Sequence, residues 1–277
     1  MSSPRDRSPF TRQVLFLKHL CEEIDSPRSL AVWLLIDAGD FVQYLELPAP
    51  VCHTDARRFA EDRQVSEMLR KSDVLPLNVD RKAVAQKKFW EAEALCAETN
   101  ARVGCSEHKP EWFHKVQRII SKILPPLTRR VLDSIEGHMR HGPGAVVGLT
   151  GESLSPSLKF DSPVSLTAAL IPYYRSLLGE LWWDAQPENQ VVRGNEWVAV
   201  PKNALTDRGI AKEPALNVFV QLGIGEYIAR RLRRFGVDIR NQGWNQFLAE
   251  MAYDWNLSTI DLSMASDTLA YSVVASL

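Results

Sequence analysis

One long helix, bracketed by its own start and stop signals, constrains this chain most. Residues 215–235 follow Pro214, which suits a first helical position, and precede Gly236, which suits a left-handed C-terminal cap. Leu216, Phe219, Val220, Ile224, Tyr227, Ile228, Leu232 and Phe235 recur at helical spacing and predict the buried side. Gly223 and Gly225 interrupt that pattern, at about 1 kcal/mol each in helix propensity, which predicts close approach of another element. No third glycine follows and no strand precedes, so they are not a dinucleotide fingerprint.

A second helix is expected over 110–124. Pro110 and Glu111 suit its first turn, Pro125 and Pro126 stop it, and residues from Trp112 to Leu124 form an apolar stripe. Lys115, Arg118 and Lys122 lie on another face, as a solvated surface or as RNA contacts. Upstream, 1–10 reads as loose, 11–47 as mostly helical with 30–36 most buried, 48–50 as a break, 55–70 as a charged helix, 73–80 as a loop and 81–100 as a helix. Downstream, a helix is expected from Ser162-Pro163 to 178, turns over 186–194, a strand at 197–200 and a helix at 241–253. The fold class is therefore α+β and helix-rich, without repeats.

The net charge of −1 hides opposite local fields. Residues 109–140 carry seven Lys/Arg against three Asp/Glu, and 201–240 carry eight against four. Residues 241–277 carry four acids and no base. Basic surfaces before an acidic stretch suggest polyanion binding around a cation-requiring centre. Four cysteines (21, 52, 96 and 105) make no disulfide framework and suit a reducing cytosol. The gap between Cys96 and Cys105 is too long for a zinc knuckle with His108 and His114. No signal peptide or apolar run of membrane-spanning length is present.

Three stretches carry candidate chemistry. Residues 200–214 (VPKNALTDRGIAKEP) place Lys202, Arg208 and Lys212 in a short irregular segment, fit either to line a triphosphate path or to form a solvated loop. His141-Gly-Pro-Gly-Ala145 has two close glycines that permit positive φ and near approach of a backbone or phosphate, but no Gly-Lys-Ser/Thr follows. Arg230, Arg233 and Arg234 crowd the end of the long helix, complementing its dipole or facing phosphates. Finally, a β-prone run at 257–260 ends on Asp261, and Asp267 follows where the chain turns into a helix. Two such carboxylates suit a divalent metal beside a polar substrate group, although capping is their ordinary use.

The block from Val198 to Ser272, containing VPKNALTDRGIAKEP, the long helix and STIDLSMASDTLAYS in that order, resembles the replicase β subunits of the single-stranded RNA bacteriophages, the leviviruses. HGPGA and Ser165-Leu-Thr-Ala-Ala-Leu170 resemble the same family more loosely, and the first hundred residues carry nothing diagnostic. The resemblance implies an RNA-directed RNA polymerase with a right-hand fold, acting in the cytoplasm of an infected bacterium. It would comprise an N-terminal helical region (1–100), fingers (101–250) and the start of the palm (251–277), ending at the first palm strand and the start of its following helix. It implies that Lys202 and Arg208, with Lys212 as an addition, contact the incoming triphosphate. Leu205 stands where family members often carry a base. Asp261 would be the first catalytic, metal-binding aspartate, and Asp267 the residue that senses a ribose 2′-OH. Two Mg²⁺ ions would be the cofactor, with Mn²⁺ as a substitute. RNA template, nascent RNA, nucleoside triphosphates and host translation factors would be the partners, with no membrane.

No Gly-Asp-Asp triplet occurs in the 277 residues. The expectation is therefore an N-terminal fragment of a replicase that does not polymerise RNA by itself. Two other readings stay open: an RNA- or partner-binding remnant without catalysis, and a metal-dependent hydrolase using Asp261 and Asp267.

Overall fold

In a computed structural model, residues 8–50, 55–73, 75–105, 109–151, 154–178, 189–260 and 262–277 are described. The chain divides into two units: 1–90 with 199–210, and 91–198 with 211–277.

The first unit is built on helices α1 (Pro9–Ile24), α2 (Pro27–Asp37), α3 (Phe41–Glu46) and α4 (Ala56–Glu67), with the start of α5 (Arg81–Cys105). Local chemistry sets their starts. Ser8, Ser26, Asp40 and Asp55 each accept a backbone N–H as N-cap, and Pro9 and Pro27 occupy first positions. Leu17, Cys21, Val32, Ile36, Tyr44, Val65 and Leu69 make the core. Tyr44 is fully buried, yet its hydroxyl donates to the Val65 carbonyl (3.1 Å) and accepts the Leu69 amide (3.0 Å). Burial pushes its phenol up to about 12. Only one side of the apolar run 30–36 is covered: Val32 and Ile36 are buried, whereas Leu30 and Leu34 are exposed.

The second unit continues α5 and adds α6 (Glu111–Ile123), α7 (Arg129–Glu136), α8 (Pro156–Asp161), α9 (Ile171–Leu178), α10 (Ala215–Arg234), α11 (Gly243–Glu250) and α12 (Tyr271–Ser276). Strands β1 (Ser165–Thr167) and β2 (Gln190–Val192) pair in parallel, Leu166 opposite Val191. The helix expected from Ser162 is thus a strand, a short 3₁₀ turn at Ala168–Leu170 and then α9. Its hydrogen bonds explain the change. Ser165 Oγ accepts the Ala215 amide (3.0 Å) at the start of α10, and the Thr167 amide donates to Asn217 Oδ1 (3.0 Å). Partners some fifty residues away outcompete local helix bonding. The core here is Val146, Val164, Leu166, Tyr174, Ala215 and Leu216.

Helix α10 forms as expected and ends on Gly236 at φ +85°, with the Gly236 and Val237 amides returning to the Arg233 and Leu232 carbonyls. Leu216 is buried, but Ile224 and Phe235 are exposed. Gly223 marks the helix crossing: a Cβ there would meet Met139 Cγ at 2.7 Å and the Ile135 carbonyl oxygen at 2.8 Å. Gly225 has nothing within 4 Å. Gly223→Ala should therefore destabilise the protein by about 1–3 kcal/mol through overpacking. Gly225→Ala should stabilise it by about 0.4–1 kcal/mol. Chemical denaturation of the two variants measures both, and equal effects would refute the crossing.

A strand at 257–260 is not formed; the described residues there are irregular and Ile260 is exposed. A strand needs a neighbour for its ladder hydrogen bonds, and none of the described strands pairs with this stretch. No helix among the described residues is long and apolar enough to cross a membrane.

Candidate functional site

The stretch expected to be an irregular basic loop is a β-hairpin. Strand β3 (Glu196–Pro201) neighbours β4 (Asp207–Lys212), and the five residues between them leave room only for an antiparallel reversal. Asn203 builds the turn. Its Oδ1 accepts the amides of Leu205 (3.0 Å) and Thr206 (2.9 Å), and its own amide donates to the Thr206 carbonyl (3.2 Å). Ala204 is buried in the core of the first unit, and Arg81 lies 3.6 Å from the Asp207 carboxylate and 3.4 Å from the Asn203 carbonyl. On this fixed tip, Lys202 and Arg208 are exposed, and neither is ion-paired among the described residues. Two unengaged cations on a rigid turn are suited to a polyphosphate. Lys212 differs: it is buried and pairs with Glu196 at 2.8 Å. Asn203 and Arg81 are the supporting residues that sequence reading missed; Asn203 was visible as a turn former, Arg81 was not.

The acidic stretch belongs to the second unit. Asp261 lies outside the described residues. Asp267 is exposed in a turn, where its carboxylate accepts from Ser266 Oγ (3.1 Å). It does not cap the following helix, which begins at Tyr271 without a side-chain cap. Helices α5 and α6 hold this stretch from behind. Cys96 Sγ donates to the Asp267 carbonyl (3.4 Å), Asn100 Oδ1 accepts from the Ser272 amide (2.9 Å) and hydroxyl (2.8 Å), and Gln117 donates to the Ser276 carbonyl (2.5 Å). The Asp267 carboxylate thus remains available to a ligand while its backbone is anchored. Among the described residues no cluster of three or more metal-ligating side chains occurs. Cys52 and His108 lie outside the described residues.

The arginines of α10 have distinct tasks. Arg231 donates to the Ile123 carbonyl (2.6 Å) and caps the end of α6. Arg230 lies 3.5 Å from the Glu226 carboxylate, Arg233 lies 3.4 Å from Asp238, and Arg234 is exposed. Glu226 also receives Arg240, which hydrogen-bonds it directly, and Arg140 at 3.5 Å. Arg240 above all, then Arg140 and Arg230, hold its carboxyl below the usual range against a smaller opposing effect of burial. On α6, Lys115 pairs with Glu111 (2.9 Å), while Arg118 and Lys122 are exposed.

The HGPGA loop encloses a cation and not an anion. The fully buried Lys159 ammonium donates to the carbonyls of Gly142 and Gly144. The positive-φ glycines nearest this loop are Gly148 and Gly151, farther along. His141 is buried against Phe160 and Phe219 (ring centroids 4.5 and 5.0 Å) with neither ring nitrogen hydrogen-bonded. Burial, with a contribution from Lys159, pushes it down to about 4. Unfolded His protonates near 6.5, so between about pH 6.5 and 4 the unfolded state binds the extra proton. Stability should be full above pH 6.5 and fall by about 3 kcal/mol as the pH drops to 4. His141→Phe should flatten that slope in pH-dependent denaturation; an unaltered slope would remove His141 as its source.

Comparison with known proteins gives the context of these features. The family model described as RNA replicase, beta-chain, matches residues 29–277. The chain is 36% identical to the RNA-directed RNA polymerase subunit beta of Escherichia virus Qbeta over 75% of its length and 36% of that protein's. It is 34% identical to the corresponding subunit of Enterobacteria phage SP (76% of this chain, 38% of the relative). Against the RNA-directed RNA polymerase beta chain of Escherichia phage MS2 the identity is 31% (75% and 41%). The chain thus spans well under half the length of these relatives. With a match running through the hairpin, the arginine-rich helix and the acidic stretch alike, this chain belongs to the RNA replicase β-chain family of the RNA bacteriophages.

Proposed function

We propose that these residues are the nucleotide-receiving part of an RNA-directed RNA polymerase that replicates a single-stranded RNA phage genome. The observation that carries this reading is the hairpin tip, where Asn203, Arg81 and buried Ala204 fix two unpaired cations, Lys202 and Arg208, in a chain of this family. Lys202 and Arg208 bind the triphosphate and neutralise its charge. Lys212 braces the hairpin through Glu196 and reaches a nucleotide only if that pair opens.

Asp261 supplies one carboxylate to a Mg²⁺ site, and Asp267 accepts a hydrogen bond from the ribose 2′-OH. Carboxylate oxygen is the hard donor that Mg²⁺ selects. Two bound Mg²⁺ ions would activate the 3′-hydroxyl and stabilise the departing pyrophosphate. A two-ion site needs further carboxylates beside that of Asp261. Residues 1–100 form an N-terminal helical region, 101–250 the fingers and 251–277 the beginning of the palm. The setting is the cytoplasm of the infected host, with template, product RNA and host translation factors as partners.

The test is ribonucleotide incorporation on an RNA template by the intact replicase containing these residues, with and without Mg²⁺. Incorporation that requires Mg²⁺ supports the reading. An intact replicase that binds RNA but never extends it would favour a binding protein.

A further inference from the structure

Between the end of α10 and the segment that follows it lies a cleft of about 330 Å³, lined by Glu226, Arg230, Arg233, Asp238, Arg240 and Asn241. That volume is at the lower end of small-ligand clefts, roughly 300–1,000 Å³. Guanidiniums outnumber carboxylates around it. Arg140, Arg230, Arg233 and Arg240 surround the two carboxylates of Glu226 and Asp238. Glu226 is nearly buried and kept ionised, and it engages three of these guanidiniums at once. It therefore acts as a fixed anchor for cations that keep unused N–H donors turned to solvent. Arg233 is the most exposed of the four, at 77% of its side chain.

A second feature stands beside the cleft. Asn241 Oδ1 accepts the Gly243 amide (2.9 Å) at the start of α11, and Trp244 is the next residue. Trp244 is 61% exposed and stacks on Phe247, with centroids 5.4 Å apart and an interplanar angle of 29°. An exposed, pre-stacked aromatic pair is costly in water unless something covers it. Guanidiniums for phosphate next to an aromatic face for bases is the combination that binds single-stranded nucleic acid without reading its sequence.

We propose that the Glu226 cleft and the Trp244–Phe247 pair form a binding site for the backbone and an adjoining base of single-stranded RNA. The choice of RNA as ligand rests on the replicase reading; the site itself rests on its geometry. Phosphate oxygens take the outward N–H groups of Arg233, Arg230 and Arg240, and one base stacks on Trp244.

The test uses the 277-residue chain and a short fluorescent single-stranded RNA, with binding followed by anisotropy between 50 and 200 mM salt, the range in which phosphate contacts show themselves. Trp244→Ala should weaken binding by about five- to a hundredfold. Arg233→Ala should lower the salt slope by about one, and Arg233→Lys should restore it. Duplex RNA of equal length should bind less well, and free nucleoside triphosphate should not displace the single strand. Thermal melts of the variants check folding. Parent-like binding by both folded alanine variants would overturn the proposal, as would displacement of the RNA by triphosphate. These results are separable from failure of the polymerase reading: a replicase that needs Arg233 and Trp244 for RNA but never incorporates nucleotides would retain the cleft and lose the catalytic function.

Discussion

Asp261→Ala is expected to abolish RNA synthesis by the intact replicase while leaving the fold and RNA binding in place. A metal-ligating carboxylate contributes several kcal/mol to stabilising the charge that develops in phosphoryl transfer. At 1.36 kcal/mol per tenfold, the loss should be about a thousandfold or more. Neighbouring structure argues against collateral damage. Ile260 and Leu262 on either side are largely exposed, and the stretch is held through Asp267, Ser272 and Ser276 by Cys96, Asn100 and Gln117. Single-turnover extension of a primed template, with anisotropy as the binding control, measures the effect. Retained synthesis would remove Asp261 from the metal site.

Arg208→Ala has the next largest expected effect, and it should fall on nucleotide use. A charge-assisted hydrogen bond to a triphosphate contributes about 1.5–3 kcal/mol, so KM for nucleotide should rise by about ten- to a hundredfold. Arg208 contributes nothing to the turn, which Asn203 and Arg81 hold, so stability and RNA affinity should stay near those of the parent. Asn203→Ala gives the contrast. It removes the acceptor of two amides, so it should lower the stability of the first unit as well as nucleotide use. Equal nucleotide dependence in parent and Arg208→Ala would make the hairpin's basic residues structural.

The helices at 111–123 and 215–234 were legible in the sequence because proline and glycine mark their ends and the apolar spacing fills the interval. Gly223 was legible too, since a helix-weakening residue inside a strong helix asks for a close neighbour, and Ile135 and Met139 supply it. The rest depended on distant partners. The hairpin was hidden because its turn has no Asn-Gly pair; a side chain and Arg81, more than a hundred residues away, hold it. The strand at Ser165 was hidden because its partners are Gln190, Ala215 and Asn217. Lys212 was grouped with Lys202 and Arg208 by proximity in sequence, but only the fold gives it Glu196. The Glu226 anchor was missed for the same reason: its guanidiniums come from 140, 230 and 240.

The most direct test is affinity cleavage in the intact replicase, with Fe²⁺ replacing Mg²⁺ in the presence of template and nucleotide and the backbone cuts mapped along the chain. The proposed site predicts cuts around Asp261 that are lost in Asp261→Ala. Cuts confined to other parts of the chain, or unaltered in that variant, would contradict it.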